Sequence, residues 1–291
     1  MKITVVAVSA EVCRSFTQCR RRFEKECPQA AFSLRLYPVA RNDGEDEPDA
    51  IAEDIRTADI AIADLMGCGA KLVETVGDAL EGCAGQRIVI GNGCMDKLRI
   101  GGFTLDHMRA LAGGKSRQAK KPGMMEKMRN AGGGIPGFVR RMLAKRMGGD
   151  ESLVRDLQNF GRINDYWLAG TETDIFSMLL LLFRDYFGRT DLPVPQPCTR
   201  PGDTYLANLA GDGTSHLNGK SYRKAYASQK GRPWVVLLYH GHNYPTRTED
   251  CVRDIACRLH AFANVAPIAF NKSTEKDMTA ARKLVNRVCG S

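Results

Sequence analysis

Residues 60–90 read IAIADLMGCGAKLVETVGDALEGCAGQRIVI, and this stretch decides the fold. The apolar run 60–63 predicts a buried strand, residues 70–80 predict a helix, and the run 87–90 predicts a second strand. Strands that alternate with helices of this length are typical of βαβ units, whose strands lie parallel in one sheet. The stretch therefore predicts an α/β protein with a mainly parallel sheet.

The same alternation continues toward the N-terminus. Strands are predicted at residues 3–8 and 32–36, and helices are predicted at residues 11–26 and 50–56. Because the whole region repeats the strand–helix rhythm, we predict a Rossmann-like parallel sheet domain over residues 1–112.

The composition of residues 113–149 breaks this pattern. They contain nine glycines, ten Lys or Arg residues and one acid, Glu126, so their charge of +9 equals that of the whole chain. The glycines predict a mobile connection. The charge fits a solvated face, an anionic ligand or partner subunit, or RNA, and the amphipathic pattern at 138–147 would also suit a membrane surface.

Two helices and a linker are predicted next. Residues 113–191 form a glycine-rich basic connection that ends in helices at 152–160 and 174–186, with Thr173 as the cap of the second helix. Residues 192–203 hold four prolines, which predict a stiff linker and a domain boundary.

The strand–helix rhythm returns after the linker. Strands are predicted at residues 234–240 and 265–270, and helices at 248–261 and 274–288. Two strands are too few for an independent doubly wound domain. Residues 204–291 are therefore predicted to be the start of a second α/β domain, either in a piece of a longer protein or in a chain whose sheet a partner completes.

Cysteine usage and hydropathy narrow the class of protein. The ten cysteines include no C-x-x-C pair, which argues against a structural zinc or iron–sulfur site and favours a reducing, cytoplasmic location. The longest apolar run, residues 175–183, is far below the ~20 residues that a membrane span needs. No Ser-His-Asp arrangement stands out, and no RNP-type aromatic pattern supports RNA binding.

Three segments follow predicted strands, where open α/β sheets bind ligands. Asp64 opens the first and Asn92 lies in the second, and both segments are rich in glycine. They are either tight turns or ligand contacts, and neither is a full G-x-G-x-x-G, so a nucleotide site is not supported. The third segment carries His240 and His242 after Tyr239; such histidines could ligate a metal, shuttle a proton, bind a carboxylate, or bond only to backbone carbonyls.

Three stretches of the chain carry a resemblance to one protein family. They are residues 58–67, ADIAIADLMG; residues 166–173, YWLAGTET, with the leucine-rich run 178–187; and residues 234–242, WVVLLYHGH. In order, they resemble an early strand, a Y-x-x-x-G-G-x-E-N helix and a strand that ends in Y-R-S-H in the large subunits of cobaltochelatase and magnesium chelatase. The proline-rich linker stands between the second and third stretches, as it does in that family.

The resemblance implies an ATP-dependent machine that inserts a metal into a tetrapyrrole. The large subunit binds the ring, AAA+ partner subunits use the ATP, and cobalt or magnesium is a substrate, so no permanently bound cofactor is expected. It also implies a longer chain than this one. Thr171 and Thr173 replace the family's second glycine and asparagine, and His240 stands where arginine is typical, whereas His242 keeps the family histidine.

We therefore predict the N-terminal part of a cobaltochelatase-like large subunit that binds a corrin or porphyrin precursor. His242 and His240 are predicted to act near the ring or the metal, and both could ligate the metal. The predicted substrate-binding residues are Asp64, Asn92, Tyr239, Arg140 and Arg141. Two alternatives remain: a non-catalytic ligand-binding or subunit-scaffold module, and a polyanion-binding protein that uses the basic stretch.

Overall fold

A computed structural model gives the fold, and it describes residues 1–39, 48–91, 93–112, 147–198, 204–207, 216–217, 219–226, 229–240, 245–270 and 275–290. The chain divides into two compact units. The first comprises Met1–Trp167 and Thr171–Cys198, and the second comprises Leu168–Gly170 and Thr199–Ser291.

The first unit contains a six-stranded sheet in the order β2-β1-β3-β4-β5-β6. The first four strands pair in parallel and the last two pair antiparallel, as β4 with β5 and β5 with β6. The strands are β1 (Lys2–Ala7), β2 (Ser33–Pro38), β3 (Ile60–Asp64), β4 (Gln86–Ile90), β5 (Arg99–Ile100) and β6 (Phe103–Thr104). The predicted α/β fold with a Rossmann-like sheet is confirmed.

Helices cover both faces of this sheet. The described helices of the unit are α1 (Ala10–Glu26), α2 (Pro48–Arg56), α3 (Ala70–Gly82), α4 (Leu105–Ala112), α5 (Glu151–Ala169) and α6 (Glu172–Tyr186). Strands β2 and β3 lie on opposite sides of β1, so right-handed crossovers place α1 on one face and α2 and α3 on the other. Accordingly α2 and α3 bury Ile55 and Val76 against Val6 and Ala63 in one apolar cluster, whereas α1 packs against α6.

Helix α6 is buried along most of its length. Its apolar residues face Phe23 of α1, whose ring centroid lies 4.5 Å from that of Phe176 and 5.3 Å from that of Phe183. In the part of the chain that the structure describes, no helix is both long and apolar enough to cross a bilayer. The leucine-rich run is therefore core sequence, because an α-helix buried on most sides needs apolar residues all round.

The predicted cap of α6 is wrong by two residues. The N-cap is Thr171, whose Oγ1 accepts a hydrogen bond from the Asp174 amide at 3.2 Å. Thr173 lies inside the first turn instead. The reason is the preceding turn, where Gly170 has a φ of +65° that ends α5 and leaves Thr171 extended, in capping geometry.

Substitution of Thr171 and Thr173 tests the cap of α6. Thr171→Ala should lower the free energy of unfolding by about 1 kcal/mol, because the Asp174 amide loses its acceptor. Thr173→Ala is the matched control, since its side chain is exposed and caps nothing; its effect should lie within about 0.5 kcal/mol. Urea denaturation of the two variants measures the difference, and equal losses would contradict the assignment of the cap.

A hairpin that was not predicted extends the sheet. Strands β5 and β6 pair through the two-residue turn Gly101-Gly102, in which Gly101 has a φ of +57°. The Gly102 amide donates a hydrogen bond to Oδ2 of Asp156 at 2.9 Å, and Asp156 is a buried residue of α5. A Gly-Gly pair between Ile100 and Phe103 was the available signal for a two-residue hairpin.

The second unit has its own sheet, in the order β8-β7-β10-β9. Its strands are β7 (Thr204–Ala207), β8 (His216–Leu217), β9 (Trp234–His240) and β10 (Asn264–Phe270), and its described helices are α7 (Gly219–Ala225), α8 (Pro245–Leu259) and α9 (Glu275–Cys289). Strands β9 and β10 are parallel, whereas β7 is antiparallel to β10. The two predicted strands and two predicted helices are present; β7, β8 and α7 were not predicted because each is short.

Helices α8 and α9 lie on opposite faces of this second sheet. Val265 of β10 packs with Ala256 of α8. The next residue along β10, Ala266, packs with Ala281 and Val288 of α9. Because successive side chains of a strand point to opposite faces, the two helices are on opposite sides of the sheet.

Candidate functional site

Each sheet contains two neighbouring parallel strands whose following helices pack on opposite faces of the sheet. We call the position between the ends of these two strands the switch point of the sheet. In the first sheet this point lies between β1, which leads into α1, and β3, which leads into α3. Their last residues, Ala7 and Asp64, are in register. Open α/β sheets form their ligand crevices outside the strand ends at such points. Asp64 therefore stands where the sequence predicted a substrate contact.

The crevice above Asp64 is occupied by a side chain of the protein itself. Oδ2 of Asp64 accepts a hydrogen bond from Nε1 of Trp167 at 3.1 Å, and Oδ1 accepts one from the Met66 amide at 3.4 Å. Asp64 is 3% exposed and Trp167 is 1% exposed. A ligand could reach this carboxylate only if the indole moved, so a substrate contact by Asp64 stays a prediction.

The indole of Trp167 is packed among aromatic side chains. Its ring centroid lies 6.0 Å from that of Phe16 in α1. The neighbouring Tyr166 is also buried, and its hydroxyl donates to the Gln196 carbonyl. Trp167 was quoted in the family resemblance but not singled out as a site residue, because sequence spacing does not show which partner a buried indole finds.

The segment after β4 approaches the same crevice. Gly91 has a φ of +79°, and a Cβ added there would lie 3.9 Å from Oδ1 of Asp64. The next residue, Asn92, lies outside the described residues, so its predicted contact stays a prediction. Farther along, burial raises the pKa of the Cys94 thiol to about 11, and its Sγ donates to the Val73 carbonyl at 3.0 Å. A thiol of that pKa is protonated near neutral pH and is a poor nucleophile.

In the second sheet the corresponding point lies between β9 and β10. Strand β9 leads into α8 on one face, and β10 leads toward α9 on the other. The last residues of the two strands, His240 and Phe270, are in register, and Tyr239 pairs with Ala269 one step earlier. The structure thus places His240 and the partly buried Tyr239 at the carboxyl end of β9, the kind of strand end outside which open α/β sheets form ligand crevices.

Three other predicted site residues cannot be placed. His242, Arg140 and Arg141 lie outside the described residues, and the roles predicted for them stay predictions. Within the described ranges, no three or more His, Cys, Asp or Glu side chains are grouped so that they could hold a metal ion.

A surface depression lies at the opposite edge of the first sheet. It has a volume of about 390 Å³ and is lined by residues that include Arg56, Asp59 and Phe187. Asp59 immediately precedes β3, so this depression is at the amino ends of the strands. The Asp59 carboxylate already accepts a hydrogen bond from the Lys2 amide at 2.7 Å. We take the carboxyl ends of the strands, and not this depression, as the candidate ligand site, because open α/β sheets bind ligands at the carboxyl edge.

Comparison with known proteins finds likeness to solved structures but none in sequence. No protein-family model matches the chain, and no curated protein matches its sequence. A solved structure of the catalytic subunit of cobaltochelatase from Mycobacterium tuberculosis aligns with 96% of this chain and 17% of that chain, at 10% sequence identity and a TM-score of 0.34. The chain thus spans about 17% of the length of that subunit.

Proposed function

We propose that this chain is the N-terminal part of a chelatase large subunit that binds a corrin or porphyrin precursor during metal insertion. The observation that carries the proposal is the position of His240. The stretch that resembles the family's histidine-bearing strand is β9, and β9 ends at the switch point of the second sheet, in register with Phe270. A ligand held there would lie beside the end of β9, at which His240 stands.

Histidine suits the chemistry at this position. Inserting a divalent metal removes two protons from the pyrrole nitrogens, so the site needs a base. Imidazole titrates near physiological pH, can accept such a proton, and can also coordinate a metal ion in transit. In the proposal His242 and His240 take these roles, with cobalt or magnesium as the substrate metal, and Tyr239 contacts the ring.

A buried hydrogen bond also links two stretches of the resemblance. Trp167 belongs to the Tyr-Trp stretch and Asp64 to the early-strand stretch, and 103 positions separate them in the chain. The bond joins the two stretches within the first unit. In the proposal, Arg140 and Arg141 bind the carboxylate arms of the ring, because guanidinium matches carboxylate geometry. AAA+ partner subunits would use the ATP, and this chain alone is expected to be inactive.

An absorption titration tests the proposal. A metal-free porphyrin that carries carboxylates should show a shifted absorption band when micromolar chain is added. His242→Ala and His240→Ala should each weaken binding by about tenfold, as expected for a lost hydrogen bond to a charged group. His260→Ala is the matched control, because His260 follows α8 at the opposite edge of the same sheet.

Three results would contradict the proposal, and each has a different meaning. A folded chain that produces no band shift would count against ring binding. A shift that both histidine variants retain, and whose affinity falls steeply as salt is raised, would favour polyanion binding through the basic stretch. Ring binding without metal insertion, in the presence of AAA+ subunits, ATP and the metal, would favour a non-catalytic module.

A further inference from the structure

Thr204, the first residue of β7, has an unusual hydroxyl. Its Oγ1 is buried and has no hydrogen-bond partner among the described residues. Buried polar groups in proteins are nearly always hydrogen-bonded, and each exception asks for an explanation. A hydroxyl left unpaired inside a protein lowers its stability, so it is retained most readily where a ligand supplies the partner.

The position of Thr204 points to such a ligand. Thr204 is in register with Phe270, and Phe270 is in register with His240, so the three residues form one row across β7, β10 and β9. Two strand spacings separate Thr204 from His240, which places their Cα atoms about 10 Å apart. The row is the edge of the sheet at which β9 and β10 end.

The hydroxyl also lies on a defined face of this sheet. Leu206, two residues along β7, packs in one apolar cluster with Ala281 and Val288 of α9. Alternation along a strand puts the Thr204 side chain on the same face. The hydroxyl is therefore at the edge of the sheet where β9 and β10 end, on the face that α9 covers.

We infer that Thr204 is a ligand-binding residue that donates a hydrogen bond to a carboxylate oxygen of the molecule held at the ends of β9 and β10. The inference rests on the proposed function, because that function supplies a ring with acidic side arms. A carboxylate accepts hydrogen bonds through two oxygens, so it can pair with a hydroxyl donor. Its negative charge is also attracted to a chain of net charge +9. Thr204 would thus select rings by their acidic arms, without taking part in proton transfer.

The ligand-free chain gives a first test. Thr204→Val keeps the side-chain shape and removes the hydroxyl, so it should raise the thermal unfolding midpoint of the second unit by about 4 °C. Thr204→Ser keeps the hydroxyl and is the matched control, so it should not raise the midpoint. A lower midpoint for Thr204→Val would show that the hydroxyl has a partner in the protein and would overturn the inference.

Ligand titration gives the second test and separates the two proposals. The probes are a metal-free tetra(carboxyphenyl)porphyrin and its tetra(hydroxyphenyl) analogue. Thr204→Val should weaken binding of the carboxylate porphyrin about tenfold without changing that of the hydroxyl analogue, and Thr204→Ser should bind both like the wild-type chain. If wild type binds the carboxylate porphyrin and Thr204→Val binds it equally well, only the inference about Thr204 fails. If wild type binds neither probe, both proposals fail.

Discussion

Trp167→Ala is expected to lower the free energy of unfolding of the first unit by about 3–5 kcal/mol, the range for removing a fully buried aromatic ring. The indole is 1% exposed, packs on Phe16 and donates to Asp64, so its removal leaves a cavity and takes a donor from a buried carboxylate. Urea denaturation followed by circular dichroism measures the loss. Trp234→Ala is the control, because Trp234 is only partly buried and lies in the second unit.

A double-mutant cycle isolates the hydrogen bond within this effect. Trp167→Phe keeps most of the ring and removes the N–H, and Asp64→Asn keeps the shape of the carboxyl group. If Nε1 of Trp167 donates to Oδ2 of Asp64, the two substitutions together should cost at least about 1 kcal/mol less than the sum of their separate costs. Additivity within about 0.3 kcal/mol would mean that the bond contributes nothing and that only packing holds the indole.

The second large effect is expected at the hairpin turn. Gly101→Ala should lower the free energy of unfolding by about 3 kcal/mol or more, for two reasons that add. Gly101 has a φ of +57°, which strains any residue with a Cβ, and that Cβ would lie 2.2 Å from Oδ2 of the buried Asp156. To escape the collision, Asp156 would have to give up its bond to the Gly102 amide.

Gly188→Ala separates the two reasons. Gly188 has a φ of +66°, and apart from its two chain neighbours no atom of the described residues lies within 4 Å of an added Cβ. Only backbone strain applies there, so the loss should be about 1–2 kcal/mol. Both variants are compared by urea denaturation at constant pH. A loss at Gly101 no larger than that at Gly188 would show that Asp156 moves aside freely and that the hairpin is not tied to α5.

The two switch points differ in a way that bears on function. At the first, the carboxylate of Asp64 is bonded to an indole of the same unit, and the crevice is filled by protein. At the second, the row that contains His240 also contains a buried hydroxyl without a protein partner among the described residues. We therefore place the proposed ring contacts at the second sheet. In the first crevice, the contact between Asp64 and Trp167 serves chiefly to stabilise the fold.

Local pattern was enough to predict most of the long elements, although helix α5 was predicted only over residues 152–160 and extends to Ala169. The apolar run of β3 and the helix that follows it were predicted within two residues, because a buried parallel strand and an amphipathic helix have unmistakable periods. Strand β9 was predicted at the bounds that the structure shows. The short elements β5 to β8 were missed, since two to four residues carry no period and depend on pairing with a neighbour.

The sequence by itself determined that this is an α/β chain and that Asp64 and His240 stand at the ends of strands, because those facts follow from local hydrophobic pattern. Only the tertiary structure decided that Trp167 covers Asp64, that Thr171 rather than Thr173 caps α6, and that Thr204 shares a row with His240. The physical reason is sequence separation. Contacts between residues far apart in the chain arise from strand order and helix packing, which local pattern does not encode.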